Sequence, residues 1–562
     1  MNIITIKQLL LIFSTICYFG ITKANAQSND SQIKEYSTKK TLEQVITQQW
    51  EVNDLIFKTN KKIKDPFDKE VIAEVINPQL IVQKIPLFYN GNGEWIFRFS
   101  SSDVGKSTYK IVAPHLSFDG RKGEVIVQKN TKVDRHGSVV LKEEYPQHFF
   151  YEDGKHYFNL AFECDWLFAL DYGKEELSKT KHLLKVLNDY KYNQVVMNVY
   201  SYDVKWKKDP KLGNHQEFEY GGREDIYPFL GSNSSPNYSS LNVDFFQHLD
   251  QVILEMHDHE IVSHLMIYVW NKGVNWPDMN TEADNLYYDY VIKRYQAFPN
   301  VVWDVSKEAL LYGRATNEYI SERIERTKAL DAYNRLISVH DYGFCKRHPD
   351  EVDFISMQNW ERALYQKMID AKNEFKNKPI FNIEHGGYEE APFQVFPGAY
   401  TNSEACLRRN YECIFAGGYT TYYWQGASWN VVIHNPFEQG EEFEKPHFDY
   451  FKHMANLFEK FNFENFEPLS WFNSSGYNLT NKKDGVVMMY TPKECQWIGV
   501  SKVIKQFDAS EAKQLWFNTL TGEYSEEEPY NTAPFDFWYE RPWKGEADVI
   551  LIVKGLKEQK VN

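Results

Sequence analysis

With 562 residues the chain is too long for one hydrophobic core, so two to four domains are expected. A formal net charge of −15 argues against a nucleic-acid partner or an anionic membrane surface, since phosphates would repel it. Hydrophobic content of 43% argues against long disorder, and the 16% aromatic content adds a first hint of stacking surfaces for sugar rings.

Residues 1–26 read as a secretory signal: Lys7 precedes an apolar run over 9–20, and Ala24-Asn25-Ala26 forms a small-residue cleavage site. The run is too short to span a bilayer comfortably, so a secreted or periplasmic protein without membrane insertion is expected. The five later cysteines, Cys164, Cys345, Cys406, Cys413 and Cys495, lack framework spacing. Cys406 and Cys413 stand seven apart on a predicted helix, about 10 Å from one another and too far to bridge. No CxxC pair or HExxH occurs, so no metal site and no cofactor is expected.

Residues 27–45 read as a polar leader. Over 46–135, short strands at 71–75, 94–99 and 124–127 alternate with turn signals at Asn90-Gly91-Asn92-Gly93 and Asp119-Gly120, as in a β-sandwich. Trp50-Glu51-Val52, Phe88-Tyr89-Asn90-Gly91 and Arg98-Phe99 resemble the N-terminal sandwich that precedes a group of bacterial polysaccharide-degrading barrels.

From 147 to 462, apolar strands alternate with amphipathic helices. Strands are predicted at 157–162, 194–200, 261–269, 301–305, 336–339, 354–358, 379–383 and 420–423. Helices are predicted at 174–187, 243–259, 284–298, 362–375 and 402–415. Over 243–259, Phe245, Phe246, Leu249, Val252, Ile253 and Met256 keep helical spacing on one face. Eight strands with crossover helices predict a (β/α)8 TIM barrel. Two long connections, 201–242 and 425–446, each follow a strand and so fall on the face where such barrels carry their sites. From 463 to 558 the strand-and-turn pattern returns, predicting a C-terminal β-sandwich.

The chemistry centres on two strand ends. Lys378-Pro379-Ile380-Phe381-Asn382-Ile383 runs into Glu384-His385-Gly386-Gly387, and Val301-Val302-Trp303-Asp304-Val305-Ser306-Lys307 runs into Glu308. A carboxylate at the tip of a buried strand costs free energy unless something uses its charge. Cleaving a glycosidic bond takes two carboxyl groups, one protonated and one ionised. Strands four and seven of one barrel would hold them across a common mouth. Asp304, inside strand four, is the rival acid and reads as structural.

These two glutamates resemble those of the clan of retaining (β/α)8 glycoside hydrolases. Within it, residues 150–460 look most like the apiosidase-like barrels, with 193–200 and 295–308 as the nearest matches. The resemblance implies that Glu308 is the acid/base and Glu384 the nucleophile. It also marks a departure: the clan usually has Asn before the acid/base, contacting the sugar 2-hydroxyl, where this chain has Lys307. Such a lysine would answer an anionic substrate, a uronate or a sulfated sugar, or else point outward.

His340, Asp341 and Tyr342 after strand five, and Gln358, Asn359 and Trp360 after strand six, are candidates to bind substrate or hold the nucleophile. Trp424 at the end of strand eight would floor the cleavage subsite. Trp270 and Asn271 after strand three, and Asp165 and Trp166 after strand one, are candidate rim contacts. Lys205, Trp206, Lys207, Lys208 and Arg223 read as a solvated loop with an option on charged sugars. The expected function is hydrolysis of a plant or algal polysaccharide, or its oligosaccharides, by double displacement. The alternatives are a non-catalytic carbohydrate-binding protein on the same fold, or a polysaccharide lyase.

Overall fold

In a computed structural model of the protein, residues 43–205, 213–384, 402–440, 445–469, 476–495, 497–499, 504–530 and 538–558 are described. The expected signal at 1–26, three of the loop residues (Trp206, Lys207 and Lys208), and His385 with its two glycines lie outside them.

Eight strands form one parallel sheet: β1 (Leu160–Glu163), β2 (Gln194–Asn198), β3 (Val262–Val269), β4 (Val301–Lys307), β5 (Ile337–His340), β6 (Ile355–Gln358), β7 (Ile380–Glu384) and β8 (Tyr419–Tyr422). Their order is β5-β4-β3-β2-β1-β8-β7-β6. β5 and β6 lie side by side without a shared ladder, so this is a TIM barrel closed everywhere but at that one seam. All eight residues of β3 are buried, as expected of strands covered on both faces.

The crossovers are α1 (Ser178–Asp189), α2 (Val243–Asp258), α3 (Glu282–Tyr295), α4 (Asn317–Leu330), α5 (Tyr342–Arg347), α6 (Leu364–Glu374), α7 (Ser403–Phe415) and α8 (Phe448–Lys460). The apolar stripe predicted for α2 is its buried face. A hairpin of Val139–Leu141 and Phe149–Tyr151 packs on the strand beginnings, with Phe149 5.0 Å from the Tyr419 ring and 5.4 Å from that of Phe354.

The N-terminal region is sheet-rich, as predicted. A five-stranded sheet (Glu43–Gln48, Lys122–Gln128, Gly105–Val112, Ile72–Ile76, Val82–Pro86) accompanies a three-stranded one (Asn53–Lys58, Glu94–Phe99, Phe88–Tyr89). They share a core that includes Phe57, Val75, Phe97, Tyr109 and Val125. The first strand corrects the expectation of a leader to 45. It begins at Glu43 and runs parallel to Lys122–Gln128, with Val45 packed on the core and Thr47 buried.

The C-terminal region is a six-stranded antiparallel sheet ordered Glu467–Pro468, Tyr477–Asn481, Val486–Thr491, Val549–Lys554, Lys513–Asn518, Glu528–Pro529, with two short two-stranded ladders beside it. Alternation along its strands separates two faces. Met488, Tyr490, Phe517, Ile550 and Ile552 join the barrel's core, whereas Val487, Met489, Leu551 and Val553 build a second cluster with Ile498, Ile504 and Phe507.

A salt-bridged seam ties the N-terminal sheets to the barrel. Arg98 spends all five N–H groups there: two on Asp54 (2.8 Å each), two on Asp250 of α2 (2.9 and 3.0 Å) and one on the Arg294 carbonyl (3.0 Å). Arg294 of α3 reaches the same Asp250 at 2.6 and 2.8 Å. Both guanidinium groups stack over Phe88.

The long connection after β2 is not structureless, since it holds a hairpin of Phe229–Ser232 and Ser235–Leu241. It is laced to the connection after β8: the Tyr220 N–H donates to the Asn430 carbonyl (2.8 Å) and the Val432 N–H to that of Phe218 (2.9 Å). All five described cysteines are free, four of them buried. Among the described residues no helix is long and apolar enough to cross a membrane, and no His, Cys, Asp and Glu group is arranged to hold a metal ion.

Candidate active site

Six barrel strands end in a polar residue. Glu163, Asn198, Lys307, His340, Gln358 and Glu384 close β1, β2, β4, β5, β6 and β7. Ladder register sets Lys307 opposite His340 and Gln358 opposite Glu384, so the tips form a ring at one level. Glu308 is the first residue past β4. Its φ of 58° lies in the left-handed region, which costs a non-glycine residue of order 1 kcal/mol and recurs at functional sites. Its N–H donates to the His340 carbonyl at 3.2 Å, and its carboxyl accepts from the Asn271 amide.

Lys307, 2% exposed, points into the ring. Its Nζ lies 2.9 Å from Glu384 Oε2, an ion pair without the alignment of a hydrogen bond, and donates to Glu163 at 3.4 Å. A second buried ammonium, Lys272, pairs with Asp165 and sits 5.1 Å from the Trp166 ring centroid. Burial works against the Lys307 charge, but Glu384, Glu163 and Asp165 outweigh it and hold the ammonium well above the usual lysine range.

The carboxyl groups divide. Burial, reinforced by Asp165, drives Glu163 well above the ordinary carboxylate range. Asp165 is lowered: Lys272 and Lys307 overcome its burial. Burial thus works toward the neutral form at Glu163, and the two ammonium groups work toward the ionised form at Asp165. Glu308 is raised by burial first, with Lys307 opposing and Glu384 adding to the shift. His340, 3.7 Å from Glu384 Oε2, is driven well below its ordinary value by burial and by Lys307, and stays neutral. Two lysines, Lys272 and Lys307, thus share the mouth with four carboxyl groups, Glu163, Asp165, Glu308 and Glu384.

The structure brings most of the candidates predicted from sequence together. Gln358 lies near both Glu308 and His340, without an aligned hydrogen bond to the imidazole. Asn271 holds Glu308, and the Asn359 N–H donates to the Glu384 carbonyl at 2.9 Å. Trp270 is half-buried and stacked on Tyr268, and Trp360 is half-buried against the barrel core. Trp424 is enclosed at 3% exposure: its ring covers Gly426, where a Cβ would fall 2.4 Å from it, and its edge meets Phe448. A sugar would reach only the small part of it left open.

Lys307 takes the inward of its two readings, and three expectations are corrected. Asp165 is no rim contact: fully buried, it is occupied by Lys272, the Asn198 amide (3.2 Å) and the Trp429 N–H (3.3 Å). Asp341 caps α5, accepting from the Phe344 N–H at 3.0 Å. That cap starts a helix which turns Tyr342 away from the ring, and the charges its phenol feels are Glu374 and Asp370 on the α6 side. Asp304 stays structural, paired with His264 at 3.0 Å and accepting the His340 N–H at 2.9 Å. Arg223 is paired with Asp225 on the loop surface.

Sequence reasoning missed Glu163, Lys272 and Asn198. Glu163 obeys the same strand-tip rule as Glu384 and is visible once β1 is extended by one residue. Lys272 has no local signal, because its partner lies over a hundred positions away.

Comparison with known proteins matches residues 144–467 to a family described as "Apiosidase-like, catalytic domain" and residues 46–114 to DUF5060, a domain of unknown function. A Bacteroides vulgatus ATCC 8482 crystal structure assigned as a glycoside hydrolase has the same fold, with a TM-score of 0.69 at 18% identity over 91% of this chain and 99% of that one. A glycoside hydrolase family 5 structure from the same organism matches at a TM-score of 0.55 and 16% identity, over 76% of this chain and 95% of that one. No curated protein sequence matches the chain.

Proposed function

Because the chain belongs to the apiosidase-like catalytic domain family, we propose that it is a glycosidase of the retaining kind, with Glu384 as nucleophile and Glu308 as acid/base. The observation that carries this reading is the unequal treatment of the two glutamates. Glu384 is ion-paired with Lys307, whereas burial holds Glu308 toward its protonated form. In the first step a Glu384 oxygen attacks the anomeric carbon, the glycosidic C–O bond breaks, and the Glu308 proton passes to the departing oxygen. Glu308, now ionised, takes a proton from water. The hydroxide attacks the same carbon, the ester breaks, and both carboxyls return to their starting states.

The pairing of the mouth's two lysines favours a neutral sugar at the cleavage position over a uronate or a sulfated sugar. Both buried ammonium groups are already committed to carboxylates of the protein. The substrate is, in this reading, a plant or algal polysaccharide or its oligosaccharides, met outside the cytoplasm after export.

The test is product analysis over a panel of terrestrial and marine polysaccharides, followed by Glu384→Ala and Glu308→Ala. Glu384→Ala should be inactive. Glu308→Ala should regain turnover of an activated aryl glycoside in azide and yield a glycosyl azide of unchanged anomeric configuration. Wild-type rates in either variant, or a product of inverted configuration from the wild type, would refute the assignment.

A further inference from the structure

The segment just past Glu308 exposes two large side chains side by side, directly after the acid. Leu311 is 74% exposed and Tyr312 50%. The loop beneath them is tightly closed. The Tyr312 N–H donates to the Glu308 carbonyl (3.1 Å), the Gly313 N–H to that of Leu310 (3.1 Å) and the Arg314 N–H to that of Ala309 (2.8 Å), while Ala309 is fully buried. The two side chains therefore project from a rigid turn. Tyr312 stands beside the acid, four residues past Glu308 and bonded through its own N–H to that residue's carbonyl, and burial together with the Glu308 carboxyl raises its phenol.

A general acid must stand on the side of the bond from which the leaving group departs. The surface that continues outward from Glu308 is then the surface the leaving group lies on. We propose that Leu311 and Tyr312 form the platform for the leaving-group sugar, receiving the C–H face of its ring. Solvent exposure of both side chains ends when the sugar docks, and Tyr312 supplies the broad flat contact. This platform rests on the glycosidase reading above and deepens it by assigning the subsite on the far side of the cleaved bond.

The experiment compares two substrates of whichever sugar the polysaccharide panel releases: its disaccharide, which fills the platform, and its glycosyl fluoride, which has no leaving-group ring. Tyr312→Ala should lower the ratio of kcat/KM for the disaccharide to that for the fluoride by about tenfold, the effect of losing part of a buried aromatic contact. Leu311→Ala should lower it by about threefold, and Tyr312→Phe should leave it near the wild-type value. A Tyr312→Ala ratio equal to wild type, whether both rates hold or both fall together, overturns the platform while leaving the glycosidase assignment standing. A wild type that turns over neither substrate overturns both.

Discussion

Charge is buried in two regions of this molecule, the seam between the N-terminal sheets and the barrel, and the ring of strand tips at the barrel mouth. At the seam every demand is met. Arg98 uses all five of its donors, and Asp250 serves two guanidinium groups at once. At the mouth the demands are left partly open. Glu384 meets Lys307 in an unaligned ion pair, Glu308 sits in a left-handed turn with its carboxyl driven toward the neutral form, and a second acid raised by burial, Glu163, touches the same Lys307. Saturated buried charge holds pieces together. Buried charge with unequal protonation has chemistry left to do.

That contrast breaks most sharply at Glu384. Its replacement by alanine should cut kcat by about 10⁴-fold or more, read on the substrate that the wild type cleaves. Glu308→Gln should cost about 10²- to 10⁴-fold on substrates with poor leaving groups. It should also remove the alkaline limb of the kcat/KM profile, which in the wild type falls as pH rises through the raised Glu308 value. Lys307 pulls that value down, so Lys307→Met should move the limb to higher pH in whatever activity remains.

Stability should follow the same residue with its own sign. Glu308 has a higher value folded than unfolded, so its contribution is full below the unfolded value and is lost as pH rises through the folded one. Thermal melts should therefore show wild type losing ground to Glu308→Gln as pH increases across that window. At the seam the outcome reverses. Asp250→Ala takes the shared carboxylate from buried Arg294 and leaves Arg98 with Asp54 alone, and should cost about 3–5 kcal/mol of stability, read by denaturant titration, with kcat unchanged at low temperature. The smallest effect is expected from Arg223→Ala, whose surface pair with Asp225 is worth at most about 0.5 kcal/mol and should leave both properties alone.

The barrel was legible because its strands are short apolar runs and its helices carry stripes. The Phe245–Met256 face is read directly from spacing, and the eight strands were found within a few residues of their ends. Glu308 and Glu384 were legible because a carboxylate at a strand tip violates that pattern. Glu163 escaped for want of one residue at the end of β1. Tyr342 and Asp165 were misjudged because neighbouring sequence does not reveal which way a tip turns: a side-chain cap redirected one, and a distant lysine drew in the other. The strand Glu43–Gln48 was hidden because its sheet partner is far along the chain and its inward positions are Val45 and Thr47, a weak apolar signal. The seam's pairing left no local signal, since its four charges come from four separate elements, although Arg98 and Phe88 stood among the residues that carried the resemblance.

The Asp250 carboxylate has a consequence for how this architecture is inherited. It belongs to the barrel by covalent connection and to the sandwich by its bonds to Arg98. A gene fusion that swapped in a foreign N-terminal module would carry Asp250 and Arg294 along without their counterpart, and a sandwich moved elsewhere would take Arg98 away from half its ligands. The two modules are bound to travel as a pair.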